Sequence, residues 1–551
     1  MLPRQTFLRS RALAALLLVL CLSSALTAES AAAKKAPSKK NLAEQIKAIL
    51  GHPPLSRAHW GLDVVDLESG KTVYALNADQ LFIPASNTKL FTTAAALATA
   101  KPDYRFHTTI ESSSTIDANG RLLGDLVIVG RGDPNISGRV VPFVLKTERV
   151  PPHTQVLEEL VDQLVARGLK IVDGDVIGDD TFYSPERYGE GWAHDDLQWI
   201  DGAPVTALTF NDNVVFVNIQ PGEHDGDKAL VTPEPENSYY DIENRIVTTA
   251  AGIVRKIGIH RDPGSKKVLM WGNIPIGDPG VKEALAIEDP AEFTAQLFRS
   301  LLERRGITVT GKTRARHGEI AQFYDQPPSS LTPRPGNQRQ GCCMTATEQA
   351  TQPATPMASP TPAPNEILAE HVSLPFLEDV RIINKTSQNL HAELALRLTG
   401  KLAGQGGSFE GGAAAVKQFL LQAGITDEDF IFLDGSGLSR RNLVTPAAVV
   451  RLLAYAARQP WGAAYEDSLP VSGTDGSLQD RLGKSGASGL VHAKTGTLSH
   501  VNALSGYAQT IGGRRLVFSI FCNNHNLPGS KTLAAIDEIV ELLVKEGGAA
   551  R

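Results

Sequence analysis

The 551 residues carry a formal net charge of −6, with 42% hydrophobic and 21% charged residues. That is an ordinary soluble composition, long enough for more than one domain and without the basic bias that nucleic acid demands. Of four cysteines, Cys21 belongs to the N-terminal segment, and Cys342, Cys343 and Cys522 cannot build a disulfide framework; no Cys-x-x-Cys or His-Glu-x-x-His spacing offers a metal site, so no metal or other cofactor is expected.

Arg4, Arg9 and Arg11 precede an apolar run over residues 12–22. This reads as a secretory signal, too short to span a bilayer comfortably. Cleavage after Ala25 or after Ala28 is compatible with the small residues there, and an uncleaved anchor is the alternative. Cys21 follows Leu20, whereas a lipoprotein signal wants a small residue there. We assign 1–28 to the signal and 29–40, rich in Ala and Lys, to a flexible lead-in. No later stretch is long and apolar enough for a transmembrane helix, so no span is expected once the signal is removed.

A short amphipathic helix is expected from Asn41 to Leu50, on Leu42, Ile46 and Ile49. Residues 61–67 and 71–76 read as strands joined at Glu68-Ser69-Gly70. They lead to Pro84-Ala85-Ser86-Asn87-Thr88-Lys89-Leu90-Phe91. Here a turn opens into a helix whose Leu90, Phe91, Ala94 and Leu97 recur at helical spacing. Ser86 and Lys89 share one face of that helix. Burial and the positive end of the helix dipole both disfavour charge on Lys89, which makes the pair a nucleophile and a base; an N-cap serine with a surface lysine is the bland alternative.

Residues 106–284 change character. Short apolar runs such as 126–129 alternate with Gly/Asp turns, and one helix is expected from Gln155 to Arg167. The pattern suggests a mostly β insertion of two small modules between a first catalytic part, 41–105, and a second, 285–548. Asp173, Asp175, Asp179 and Asp180 fit turns rather than calcium, since no EF-hand spacing follows. Asp289-Pro290-Ala291-Glu292 marks a helix start with a capping box. Residues 325–365, rich in Pro, Thr, Ser and Gln, read as an extended surface insertion within the second part. Helices follow Asn389 and Thr445-Pro446; strands near 491–498, 501–510 and 515–522 and a helix near 531–546 close the chain. An antiparallel sheet flanked by helices follows, with the first and last segments packed together.

Two more motifs complete a set. Ser387-Gln388-Asn389 opens a helix and Lys494-Thr495-Gly496-Thr497 lies in a strand. With Ser86-x-x-Lys89 upstream, this is the motif set of penicillin-binding proteins and class A β-lactamases. Over roughly residues 41–548 the chain resembles D-alanyl-D-alanine carboxypeptidase/endopeptidases, the class C low-molecular-mass penicillin-binding proteins. Also similar are Val129-Gly130-Arg131-Gly132-Asp133-Pro134, 384–389, Leu433-Asp434-Gly435-Ser436-Gly437-Leu438 and Pro470-Val471-Ser472-Gly473-Thr474-Asp475-Gly476. Gln388 departs from the usual Asp.

The resemblance implies an α/β (α+β) fold of the serine β-lactamase and penicillin-binding-protein type, with the mostly β accessory region inserted. It implies Ser86 as nucleophile, Lys89 as its base, Ser387 as proton relay and Asn389 as a partner of Lys89 and substrate. Lys494 and Thr495 would bind the substrate carboxylate, and the backbone N–H groups of Ser86 and Thr497 would form the oxyanion hole. Gly496 lets strand and substrate approach. Asp196 resembles a position that meets the charged end of diaminopimelate; a solvated turn aspartate is the other reading. Asp434-Gly435-Ser436-Gly437 is read as a structural turn, and His391 and His492 as packing or surface residues. The implied partners are peptidoglycan peptides and β-lactam antibiotics, and the implied location is periplasmic or in the cell-wall space. A β-lactamase is the first rival, disfavoured by the long separation of Ser86 from Ser387. A non-catalytic cell-wall binding protein is the second, and it would have no need of Ser86 with Lys89.

Overall fold

A computed structural model describes residues 41–140, 143, 150–320, 365–484 and 486–546. The expected signal and lead-in, Cys342, Cys343 and nearly all of 325–365 lie outside these residues. The chain divides into two compact units, Met1–Ile49 and Leu50–Arg551. Helix α1 (Leu42–Gly51) begins in the first. It opens on a reciprocal cap, in which Asn41 Oδ1 accepts from the Glu44 N–H and Glu44 Oε2 accepts from the Asn41 N–H.

In the second unit, β1 (His59–Asp66) and β2 (Thr72–Leu76) form an antiparallel pair. Asp66 Oδ1 closes their connection by accepting from the N–H and hydroxyl of Ser69, each at 2.8 Å. A 3-10 turn, Ala85–Asn87, runs into α2 (Thr88–Ala100). This helix is buried on all sides from Thr88 to Leu97, more widely than its Leu/Phe spacing defines. Thr92, Thr93 and three alanines fill its remaining faces and let neighbouring elements close around it.

Strands β3 (His107–Ser112) and β4 (Leu126–Val129), helix α3 (Gln155–Ala166) and β5 (Val176–Asp179) open the accessory region. There follow β6 (Val214–Gln220), β7 (Leu230–Glu234), β8 (Asp241–Thr249), β9 (Lys256–His260), β10 (Lys267–Pro275) and β11 (Val281–Ala286). Helix α4 (Pro290–Arg304), β12 (Thr313–Arg316) and β13 (Glu366–Val372) complete it. The larger sheets run β12-β5-β4-β3-β13, β11-β6-β7 and β8-β10-β9.

Helix α4 corrects the sequence reading twice. Asp289 caps it by accepting from the Glu292 N–H at 3.0 Å, but Glu292 does not return the bond. It pairs with Lys266 at 2.7 Å, and the Asp289 N–H donates to the Tyr239 hydroxyl. The second correction is the boundary at 284. Phe293, Leu297, Leu301 and Leu302 are buried with Ile110, Phe210 and Met270 of the accessory region, and α4 packs on β5 and β12. Strands β12 and β13 are the two edges of the accessory sheet. The chain therefore rejoins the first core after Val372, and the 325–365 stretch connects accessory strands. Capping residues announce that a helix starts; they do not say which core its apolar face meets.

The remainder carries α5 (Phe376–Lys385), α6 (Asn389–Leu402), α7 (Phe409–Gln422) and α8 (Pro446–Ala456). Thr445 caps α8 as expected, accepting from the Ala448 N–H, with Pro446 at the first helical position. Strands β14 (Val491–Leu498), β15 (Val501–Gln509) and β16 (Arg515–Asn523) precede α9 (Gly529–Lys545). The sheet β14-β15-β16-β1-β2 is antiparallel, so the earliest strand pairs with the last as expected. Leu90, Phe376, Leu390, Val449 and Phe521 belong to one buried cluster between this sheet and the helices. The result is the α/β class expected, a helix-flanked antiparallel sheet with a mostly β region inserted. Among the described residues no helix is long and apolar enough to cross a membrane.

Candidate active site

Ser86 sits in the 3-10 turn that packs against β14, an edge strand. Ala85 before it is left-handed, with φ 48°, an uncommon backbone for a residue with a side chain. Two glycines clasp this turn. A Cβ on Gly437, where φ is +85°, would collide with the Ala85 carbonyl. A Cβ on Gly496 would lie 2.7 Å from the Pro84 carbonyl oxygen. The absence of a side chain at Gly496 therefore also lets the strand close on the protein's own serine turn.

Lys89 follows at the start of α2 and is fully buried. Its Nζ lies 3.0 Å from Ser86 Oγ, 2.6 Å from Asn389 Oδ1 and 2.6 Å from the Ser436 carbonyl oxygen. Asn389 Nδ2 donates to the Asp201 carbonyl at 2.9 Å, which fixes the amide with its oxygen toward Lys89. Two of the three partners of Nζ can only accept. When the amine is neutral, its two N–H bonds stay with them and its lone pair faces Ser86. Burial lowers the Lys89 pKa to about 8, against the upward pull of Asp434, Glu393 and Asp201.

Ser387 is also left-handed, with φ 64°. Its Oγ accepts from Lys494 Nζ at 2.8 Å, which leaves its own proton free to donate. It does not cap α6; Gln388 occupies that position, and no side chain caps there. Lys494 is fully buried on β14. Burial first, and then the charge of Lys89, push its pKa well below the usual lysine value.

Ser86, Ser387, Asn389, Thr495, Thr497 and Asp196 line one cleft of about 510 Å3. Lys89 and Lys494 lie beneath it. Thr495 Oγ1 is 2.7 Å from Ser477 Oγ. The Ala493 N–H bonds to the Pro470 carbonyl on the free side of β14. By the two-residue alternation of a strand, the N–H groups of Thr495 and Thr497 face that side too. Asp196 lines the same cleft with Arg440 and Asp201. Burial, then the carboxylates of Asp195 and Asp201, raise its pKa, and Arg440 opposes them.

Several residues here escape sequence reasoning. The Asp434–Gly437 turn reads as structural, yet its Ser436 carbonyl holds Lys89. Glu393 supports that turn from below, accepting from the N–H groups of Gly435 and Ser436 at 2.8 Å each. Burial and then Asp434 push Glu393 up to about 7. Its position four residues after Asn389, on the same helix face, is the signal that could have found it. Ser477 follows a quoted motif by one residue. Among the described residues no His/Cys/Asp/Glu cluster could hold a metal ion.

The model of the D-Ala-D-Ala carboxypeptidase 3 (S13) family matches residues 42–322 and 350–545, leaving 323–349 between the matches. A D-alanyl-D-alanine carboxypeptidase of Actinomadura sp. (strain R39) is 32% identical over 99% of this chain and 93% of its own. The D-alanyl-D-alanine carboxypeptidase DacB of Haemophilus influenzae is 22% identical over 85% of each chain. In fold, the chain is similar to the crystal structure of penicillin binding protein 4 (dacB) from Haemophilus influenzae. That match has a TM-score of 0.70 at 20% identity and covers 92% of this chain and 100% of that one.

Proposed function

Because this chain belongs to the D-Ala-D-Ala carboxypeptidase 3 (S13) family, we propose that it hydrolyses the terminal D-Ala-D-Ala bond of peptidoglycan stem peptides through an acyl-enzyme on Ser86. The observation that carries the reading is Lys89 Nζ, buried 3.0 Å from Ser86 Oγ between two acceptors that keep its lone pair on the serine. Neutral Lys89 takes the Ser86 proton as Oγ attacks the carbonyl between the two D-alanines. Negative charge on the carbonyl oxygen is met by the N–H groups of Ser86 and Thr497. Ser387, holding its oxygen toward Lys494, gives its proton to the leaving amine and recovers one from Lys89. Water then releases the shortened peptide.

The substrate carboxylate has its own partners in this reading. Burial and Lys89 both oppose charge on Lys494, so the arriving carboxylate supplies the countercharge that restores it. Thr495 donates its hydroxyl to the same carboxylate. A diaminopimelate cross-link presents a free carboxylate at the same place, so the site also serves as an endopeptidase. Asp196, which lines the same cleft, meets the ammonium of diaminopimelate. Penicillin carries a strained amide beside a carboxylate and acylates Ser86 in the same way. Arg4, Arg9, Arg11 and the apolar run after them support export, as does a substrate that lies outside the cytoplasm.

A time course of intact-protein mass spectra after penicillin, run beside D-alanine release from a D-Ala-D-Ala peptide, tests the proposal. A long-lived adduct with D-alanine release is expected. Rapid loss of the adduct with drug turnover would make the chain a β-lactamase. No adduct and no release would make it a binding protein.

A further inference from the structure

The Ser387-Gln388-Asn389 turn is not held by its own core alone. Asn389 Nδ2 is tied to the Asp201 carbonyl, and the buried Gln388 Nε2 donates to Asp212 Oδ2 at 2.8 Å. Both partners come from residues between β5 and β6. Gln388 Oε1 has no hydrogen-bond partner among the described residues, so Asp212 is what orients that amide. The same carboxylate reaches the next turn of α6: its Oδ1 lies 3.0 Å from His391 Nε2. His391 Nδ1 in turn lies 2.6 Å from Asp379 Oδ1 on α5, and Arg139 Nη2 donates to Asp212 Oδ2. Asp212 and His391 are wholly buried. Asn211, Asp212 and Asn213 are all left-handed, with φ of 50°, 57° and 55°. This sparsely populated backbone is pinned by Asn213 Nδ2 on the Pro204 carbonyl and Asn211 Nδ2 on the Val214 carbonyl.

We propose that Asp212 is a positioning residue for the reaction, acting through Gln388 and His391 to hold Ser387 and Asn389 in register with Lys494 and Lys89. It touches neither the cleft nor the reacting atoms. Its carboxylate grips the residues on both sides of Asn389, so the left-handed Ser387 cannot rotate its hydroxyl away from Lys494, and the Asn389 oxygen stays on Lys89. Gln388, whose identity departs from the motif, thus has a partner built for an amide. The inference rests on the acyl-enzyme reading above.

The test is stopped-flow acylation by a chromogenic cephalosporin, resolving the acylation rate constant from the dissociation constant of the preceding complex. Titration with a fluorescent penicillin gives the active fraction. Gln388→Met removes the donor and keeps the length. Its acylation rate constant should fall about tenfold, with the dissociation constant within about twofold and the active fraction unchanged, because only the alignment of reacting groups is lost. Asp212→Asn, which also loosens His391, should fall at least as far, and the double variant should fall no more than about twofold below Asp212→Asn, since the Gln388 contact is already weakened there. A purely structural role would lower the active fraction and leave the rate constant of the remainder unchanged; that result overturns the proposal. So do rate losses that multiply in the double variant. If Asp212→Asn does not fold, an unchanged rate constant in Gln388→Met is enough to overturn it. A wild type that takes no label refutes the acyl-enzyme reading itself, and the positioning role falls with it.

Discussion

Thr495→Val isolates the recognition of the substrate carboxylate. Valine keeps the branched shape and strand preference of threonine on β14, so the backbone that carries Lys494 and Thr497 is undisturbed. What disappears is one hydroxyl, paired at 2.7 Å with Ser477 and lining the cleft. Ser477 Oγ stays within reach of water, so its loss of a partner costs little. The missing term is then the bond to the substrate. A hydrogen bond to a charged group contributes about 1.5–3 kcal/mol, which places the fall in kcat/KM at about ten- to a hundredfold. Ser477→Ala removes only the support of the hydroxyl, a neutral bond of about 0.5–1.5 kcal/mol, and should cost about two- to tenfold. Steady-state kinetics on a D-Ala-D-Ala peptide and on its C-terminal amide measure both. The amide should already be a poor substrate for the wild type, and Thr495→Val should add little to that deficit. An equal loss on acid and amide would refute carboxylate recognition by Thr495.

Ser86→Ala should abolish the penicillin adduct while costing no more than about 1 kcal/mol of stability, measured by thermal melting; an adduct on another serine of the variant refutes the nucleophile. Acylation requires neutral Lys89, whose pKa lies at about 8, so the neutral fraction and the rate should rise about tenfold from pH 7 to pH 9. A flat profile across that range would exclude Lys89 as the base. Gly437→Ala forces a side chain into left-handed backbone, at about 1–2 kcal/mol, and onto the Ala85 carbonyl; melting should fall by several degrees and acylation by at least about tenfold, and wild-type acylation would show that the turn does not depend on that contact. Replacing 325–364, which lies in the chain between β12 and β13, by a Gly/Ser linker of about 12 residues leaves every catalytic residue in place. Acylation should stay within about threefold, and loss of soluble protein would show that the segment packs on the rest.

Much of this protein is legible in one dimension because its chemistry is carried by side chains whose spacing local structure dictates. Ser86 and Lys89 are one helical turn apart, Ser387 and Asn389 flank a helix start, and Lys494 and Thr495 alternate on a strand. Asp289-Pro290 and Thr445-Pro446 announce their helices because a cap acts within three residues. Distance in the chain hides the rest. The Ser436 carbonyl on Lys89 is a backbone atom, identical at every residue, and only folding brings position 436 to position 89. Nothing in the sequence around Gly496 says that the Pro84 carbonyl lies beside it. Helix α4 has a legible start and an apolar face, but nothing in its sequence says that the face meets β5 and β12 and not the first core. Asp212 is the extreme case: no motif marks it, and only the fold buries it against Gln388 and His391. Local propensity is set by neighbours in sequence, whereas burial and charge pairing are set by neighbours in space, and those only the tertiary structure decides.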